Sequence, residues 1–221
     1  MRARLSLAFA ASVLALAACQ PAEPAAAPTP AAETAAPAAT PPELKLTCFG
    51  PFGPTTTGAD LVKMFGAENV ADESSPGMDG ETLKITAIYP ADPTRRVEIT
   101  FADSEKRERL VRAEVKSMTS DWSGPEGIET GEGLSVVETA NGGPFELQGF
   151  GWDYGGYVTD WKGGKIASPV QSCDPLMRFA SDSADPSIVG EGSRLSSLPA
   201  MQASGAKVVS FTIGWDQPPP K

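Results

Sequence analysis

The chain has 221 residues, with 28 acidic side chains, 18 basic side chains and a formal net charge of −10. The basic residues form no dense cluster, which excludes an extended nucleic-acid-binding surface. The sequence contains no histidine, so Ser–His–Asp and Cys–His catalysis and histidine-ligated zinc are also excluded. We therefore predict a protein with no catalytic residues, no metal site, no cofactor and no nucleic-acid partner.

Residues 1–18 have the three parts of a secretory signal peptide. Arg2 and Arg4 form the basic start, residues 5–16 form a short apolar stretch, and Ala17 and Ala18 are the small residues before the cleavage position. The apolar stretch is shorter than the roughly 20 residues that a membrane-spanning helix requires. It therefore indicates export and not a transmembrane anchor.

The end of this segment, Leu16-Ala17-Ala18-Cys19, resembles the lipobox of bacterial lipoprotein precursors. The resemblance implies that Cys19 receives a diacylglycerol thioether and becomes the first residue of the mature chain. The alternative is an ordinary signal peptide that leaves Cys19 as an incidental thiol. Gln20 follows in place of the Asp that, in this family, tends to retain a protein at the inner membrane. We therefore expect a lipid anchor in the outer membrane of the bacterial envelope, facing the periplasm.

Residues 19–43 contain the proposed lipidated cysteine followed by a stretch dominated by Ala, Pro, Thr and Glu. Without large apolar residues such a segment cannot offset its ordering entropy, and its prolines make it a semi-rigid spacer. We predict a tether here and a single globular α+β domain over residues 44–221. With Cys19 set aside, an exported domain most simply pairs its two remaining cysteines, Cys48 and Cys173, in a disulfide.

The first part of the domain predicts a helix followed by antiparallel strands. Thr57 caps a short helix over residues 60–65, and Gly66 ends it. Alternating apolar residues predict strands over residues 82–89, 95–101 and 110–118. The residues predicted to face the core in the first two strands are Leu83, Ile85, Ala87, Tyr89, Val97, Ile99 and Phe101.

A similar order follows later in the chain. A helix opens at Gly131-Glu132-Gly133-Leu134 and ends near Asn141-Gly142, and strands are predicted over residues 145–152 and 157–161. The chain thus has two candidate helix–strand–strand repeats, at about 57–118 and 130–167. This order is similar to the helix–hairpin units of the beta-lactamase-inhibitor protein and of small outer-membrane assembly lipoproteins, which implies antiparallel sheet with short helices. Beyond the repeats we predict a strand at 176–179, a loop or helical turn at 195–201 and a strand at 208–213.

The segment between Gly149 and Trp161 combines glycines with large aromatic residues. Tryptophan and tyrosine join an apolar face to a polar tip, which suits them to recognition surfaces. The candidate recognition residues are Trp152, Asp153, Tyr154, Tyr157 and Trp161. The structural alternative is a hairpin turn at 153–156, with Trp152 and Trp161 as partners in the core.

These features favour a membrane-anchored lipoprotein whose domain binds a periplasmic or envelope partner, either a protein or a glycan, without catalysis. One alternative is a structural or assembly accessory of an outer-membrane complex. Another is a glycan hydrolase that uses a pair of carboxylates, for which Asp153 and Asp160 are the best candidates.

Overall fold

The computed structural model describes residues 43–77, 80–167 and 172–215. The predicted signal peptide (1–18), Cys19, most of the tether, the turn residue Asp79 and the terminal prolines lie outside the described residues. Within them, no helix is long and apolar enough to cross a membrane. The described chain forms one six-stranded and one three-stranded antiparallel sheet with short helices, which confirms the predicted α+β class.

Nine strands and three α-helices make up the described fold. In chain order the helices are α1 (Gly58–Phe65), α2 (Leu134–Asn141) and α3 (Pro199–Ala203). The strands are β1 (Val70–Pro76), β2 (Thr82–Ile88), β3 (Val97–Phe101), β4 (Leu110–Val115), β5 (Glu146–Gln148), β6 (Val158–Asp160), β7 (Cys173–Ala180), β8 (Ser193–Leu195) and β9 (Lys207–Trp215). The large sheet has the order β1-β2-β3-β4-β9-β7, and the small sheet has the order β6-β5-β8.

Helix α1 has the predicted caps, Thr57 and Gly66, and begins at Gly58, two residues before the predicted start. The Thr57 hydroxyl accepts a hydrogen bond from the Asp60 backbone N–H (3.2 Å), and the Asp60 carboxylate accepts one from the Thr57 N–H (3.0 Å). This capping box satisfies two backbone donors at the start of the helix. Gly66, with φ of 86°, ends it, and Leu61 and Phe65 face the core.

The large sheet differs from the prediction in two strands. Strand β1 was not predicted, because its sequence VADESSP is polar and β1 lies at the sheet edge, where it pairs only with β2. The predicted inward face was wrong within β2: Ile88 pairs with Val97 and shares its core face, whereas Ile85 and Ala87 point to the opposite face. Tyr89, directly after the strand, belongs to the core as predicted.

One face of the large sheet, the inner face, packs against the helices, the small sheet and several connecting segments. The largest fully buried side chains of this core include Trp122, Phe145, Phe179 and Phe211. The predicted disulfide between Cys48 and Cys173 is present, with a Cα–Cα distance of 5.9 Å and 125 residues between the two cysteines. It links the start of the domain to β7.

The two sheets meet along the free edge of β7. Tyr157 forms an antiparallel bridge with Arg178, and the Phe179 N–H donates to the Gly156 carbonyl at 2.9 Å. Both candidate repeats contain a helix followed by a strand pair, but β1 intervenes in the first, and the two strand pairs belong to different sheets. In the last third of the chain, β7 and β9 are both longer than the strands predicted at 176–179 and 208–213. The predicted loop or helical turn at 195–201 contains the start of α3, whose first residue is Pro199.

Candidate functional site: an aromatic groove on the outer sheet face

The face of the large sheet that points away from the core, the outer face, carries a chain of alternating charges. Glu98 accepts hydrogen bonds from Ser75 (2.8 Å), Lys116 (3.0 Å) and Arg96 (3.2 Å). Burial opposes ionisation of Glu98, but the hydrogen bonds from Ser75 and Lys116 outweigh it, so its pKa lies below the ordinary value. Glu98 is therefore a charged centre of this face at neutral pH.

The charge chain leads to the edge of a groove. Lys116 also pairs with Glu114 (3.3 Å), and Glu114 pairs with the Arg112 guanidinium (2.8 Å). The groove has a volume of about 390 Å³ and lies where β4 and β7 face the small sheet and the loop 149–157. Its lining residues are Arg112, Gln148, Trp152, Tyr154, Tyr157, Thr159 and Leu176.

Trp152 and Tyr154 form one wall of the groove. Their ring centroids are 5.5 Å apart at an interplanar angle of 49°, and the Trp152 indole N–H donates to the Gly149 carbonyl at 2.9 Å. Tyr154 is 39% exposed. The indole nitrogen is thus satisfied within its own loop, and the part of the ring that lines the groove presents an apolar surface.

Arg178 of β7 holds the loop that carries this wall. Its Nε donates to the Gly155 carbonyl (3.0 Å), its Nη2 donates to the Asp153 carbonyl (3.3 Å), and its guanidinium lies 5.1 Å from the centroid of Tyr157. Gly156 lets the backbone of the loop lie directly against β7. Its φ is 76°, and a Cβ at this position would overlap the Phe179 carbonyl oxygen. The glycines of the segment therefore let the loop lie against the edge of β7.

Arg112 is the cationic residue of the groove lining. Its side chain is 33% exposed and pairs with Glu114, but its Nε–H is buried and has no hydrogen-bond partner among the described residues. A buried, unpaired donor carries a desolvation cost, and the exposed third of the side chain is the part that a ligand can reach. The groove thus combines aromatic walls with a guanidinium suited to a carbonyl or carboxylate.

The structure separates the predicted recognition residues into two groups. Trp152, Tyr154 and Tyr157 line the groove, and Asp153 is exposed on the same loop without lining it. Trp161 belongs to the core: it is 8% exposed, donates to the Pro175 carbonyl at 2.9 Å and packs on Phe145 at 5.2 Å between centroids. The alternative prediction placed both Trp152 and Trp161 in the core. It holds for Trp161 and not for Trp152.

Four groove residues were not predicted from the sequence. They come from four different strands and are Arg112, Gln148, Thr159 and Leu176. Arg112 lies between the apolar residues Val111 and Ala113 of β4, and this alternation is the one sequence signal for its outer position. Gln148, Thr159 and Leu176 reach the same groove because β7 pairs with the segment that leads into the small sheet. The local sequence patterns do not specify this long-range pairing.

The two carboxylates considered for glycan hydrolysis do not share the groove. Neither Asp153 nor Asp160 lines it. Asp160 accepts the Lys162 backbone N–H (2.7 Å) and pairs with the Lys162 ammonium (3.4 Å), and these contacts lower its pKa. In the part of the chain that the structure describes, no group of three or more acidic or cysteine side chains is arranged to hold a metal ion.

Comparison of the chain with protein-family models, with curated proteins and with solved structures gave no match.

Proposed function

We propose that this protein is a bacterial envelope lipoprotein, anchored through lipid on Cys19, whose domain binds a periplasmic or envelope partner in the groove without catalysis. The observation that carries the proposal is the joint placement of Trp152, Tyr154 and Tyr157 along one groove. Other large aromatic side chains from the same half of the chain, such as Phe145 and Phe179, are buried.

The chemistry of the groove suits recognition. Aromatic side chains supply large apolar contact area at a low cost in conformational entropy, while a few polar groups fix the orientation of a ligand. Here Arg112, Gln148 and Thr159 are the polar groups. The volume of about 390 Å³ lies at the lower end of the range for ligand pockets, about 300–1,000 Å³. The groove therefore fits a short peptide segment or a small number of sugar rings.

The proposed anchor supports the same role. A lipid on Cys19 fixes the chain to a membrane, and the Pro/Ala-rich tether separates the domain from it. At about 3.1 Å per residue, a fully extended tether of this length reaches on the order of 70 Å. The groove would then sample a layer of the envelope within that distance of the anchoring membrane.

The proposal is tested by crosslinking and capture of the lipidated protein from intact bacterial envelopes. We expect Trp152→Ala combined with Tyr154→Ala to reduce partner recovery at least tenfold, since aromatic anchors at the centre of an interface typically contribute about 2 kcal/mol or more. Phe49→Ala is the matched control, because Phe49 is 78% exposed and does not line the groove. Equal recovery from the groove variant and the control would contradict groove binding.

A second variant separates the anchor from the groove. Cys19→Ala should move the protein from the membrane fraction to the soluble periplasmic fraction and leave partner binding in solution unchanged. Capture that depends on Cys19 but not on Trp152 or Tyr154 would instead favour an assembly accessory in an outer-membrane complex.

A further inference from the structure

Strand β1 leaves one edge of the large sheet open. It is seven residues long and pairs only with β2. The Tyr89 N–H donates to the Asn69 carbonyl at 2.8 Å, just before the β1–β2 ladder begins. Because hydrogen-bonded pairs alternate along an antiparallel ladder, the N–H and C=O groups of Asp72 and Ser74 point away from β2. Both residues are exposed, and these backbone groups have no partner among the described residues.

A cavity of about 550 Å³ lies beside this edge, on the inner face of the sheet. Asp72 of β1, Thr86 of β2 and Ile99 of β3 are register partners in one row across the three strands, and all three line the cavity. Buried Ile99 and Phe101 supply part of its apolar lining, and Glu105, from the connection between β3 and β4, supplies a carboxylate. The strand with the open edge is therefore also a wall of the cavity.

Carboxylates predominate in the lining of this cavity. Asp72, Glu73 and Glu105 line it, and Lys84 is the single basic residue of the described lining. Asp72 and Glu73 also pair with arginines that do not line the cavity. Glu105 pairs with Lys84 at 2.7 Å, but the two side chains are 80% and 69% exposed, and such a pair contributes little stability and can open. Since opposite charges on facing strands stabilise a sheet, the edge favours a basic strand.

We propose that β1 accepts an extended, basic segment of a partner protein as an additional antiparallel strand of the large sheet. Main-chain hydrogen bonds to Asp72 and Ser74 supply affinity, and the adjacent cavity supplies specificity for alternate side chains. A lysine or arginine opposite Asp72 lays its aliphatic stem against Phe101 and carries its charge to Glu105, as long basic side chains commonly do at apolar surfaces with an acidic rim. This surface is separate from the aromatic groove, so the inference does not depend on the proposed function.

A second copy of this chain fits the edge less well. Antiparallel pairing of two β1 strands, centred on Asp72 or on Glu73, sets that carboxylate opposite the same carboxylate of the other copy. Like charges directly opposite each other destabilise a strand pair. Pro76 at the end of β1 also lacks the N–H that a longer ladder requires. The charges of the edge therefore select a partner of different composition.

The test measures binding of capped synthetic hexapeptides to the full chain by fluorescence anisotropy. The probe alternates lysine with valine, and a comparison peptide has glutamine in place of lysine. We expect the lysine peptide to bind about tenfold more tightly, with a difference that shrinks as salt is added. Two further peptides carry N-methyl groups on the lysines or on the valines. A lysine opposite Asp72 points its N–H towards β1, so methylation of the lysines should weaken binding about tenfold, and methylation of the valines should not.

Variants of the chain locate the peptide. Ser74→Pro removes an outward N–H without removing a bond to β2, and should weaken binding about fivefold or more, whereas the matched control Ser74→Ala should leave it unchanged. Hydrogen exchange of the Asp72 and Ser74 amides should slow when the lysine peptide is bound. Trp152→Ala with Tyr154→Ala should not change the affinity, since those residues line the other surface.

Equal affinity for the two N-methylated peptides would overturn the inference, because it would show attraction by charge without strand addition. Failure of the lysine peptide to bind, or affinity equal to that of the glutamine peptide, would overturn it as well. Loss of binding in the Trp152 and Tyr154 variant but not in Ser74→Pro would assign the peptide to the groove. A dimer that Ser74→Pro abolishes would identify a second copy as the occupant and reject the basic partner. None of these results bears on partner capture through Trp152, so the proposed function is tested separately.

Discussion

The inner and outer faces of the large sheet use the same residue types in different ways. Trp161 and Trp152 belong to one aromatic segment, yet Trp161 bonds to the Pro175 carbonyl in the core, whereas Trp152 bonds to the Gly149 carbonyl of its own loop. On the inner face a tryptophan is fixed by another element and surrounded by the core. On the outer face it is fixed by its own loop, and its ring lines the groove.

Single-residue alternation along each strand produces this difference. Val97 and Ile213 face the core, while Glu98 and Gly214 occupy the next positions on the outer face. At these positions the outer face carries a charged residue and a glycine, and the loop 149–157 brings large aromatic rings to the groove on that face. Stability should depend on the inner face, and recognition on the outer face.

The largest effect should distinguish the two tryptophans. Trp161→Ala removes a buried side chain with a core hydrogen bond and should lower the free energy of unfolding by about 3–5 kcal/mol. Trp152→Ala should lower it by about 1 kcal/mol or less and act mainly on partner binding. Urea unfolding of both variants measures the difference, and similar losses would show that the two faces are not divided in this way.

A smaller effect is expected where the loop meets β7. Gly156→Ala forces a Cβ onto the Phe179 carbonyl oxygen and should destabilise the protein by about 2–3 kcal/mol. Gly163→Ala is the matched control: Gly163 has a similar φ of 71°, but a Cβ there meets nothing within 4 Å. Its cost should be near 1 kcal/mol, from backbone strain alone. Equal unfolding free energies for the two variants would rule out close contact as the cause.

Substitution of Arg178 tests how the loop 149–157 is attached to β7 without introducing a steric clash. Arg178→Met removes two hydrogen bonds to loop carbonyls and the contact with Tyr157, and should cost about 1–2 kcal/mol. The near-ultraviolet circular dichroism of the aromatic loop should weaken as well. Arg178→Lys keeps the charge but loses the forked geometry, so it should recover only part of the signal. Full recovery would indicate that charge alone positions the loop.

The sequence predicted the local elements better than their arrangement. The capping residues at Thr57 and Asp60 and the glycine at position 66 predicted α1, and two remaining cysteines in a chain read as exported predicted the disulfide. Strand β1 could not be predicted, because a polar edge strand lacks the apolar alternation that identifies strands. The inward face of β2 was predicted wrongly because apolar residues were expected to face the core. Ile85 and Ala87 are buried, but they lie on the outer face.

The groove was predicted only in part for a related reason. Clustering of aromatic residues and glycines identified Trp152, Tyr154 and Tyr157, which are neighbours in the sequence. Arg112 and Leu176 join them because β4, β9 and β7 are adjacent in the sheet, and that order depends on pairing between distant segments. Trp161 is as near to glycines as Trp152, but its contacts with Pro175 of β7 and with Phe145 place it in the core.

The smallest effect should come from the charge chain of the outer face. Glu98→Gln keeps the shape of the side chain and removes the charge that Lys116 and Arg96 contact, and should cost about 1 kcal/mol at neutral pH. Glu105→Gln is the control, because Glu105 pairs with Lys84 on an exposed surface and should change the stability by less than about 0.5 kcal/mol.

The stability difference caused by Glu98→Gln should depend on pH in a defined direction. Folding lowers the pKa of Glu98 below its ordinary value of 4.5, so its charge stabilises the folded state above that pH, and the contribution is lost as the pH falls through the folded-state pKa. The difference in unfolding free energy between the unmodified chain and Glu98→Gln should be constant from about pH 6 to about pH 8 and shrink below the ordinary value. A difference that stays constant into acid would mean that the outer face is held by hydrogen-bond geometry and not by charge.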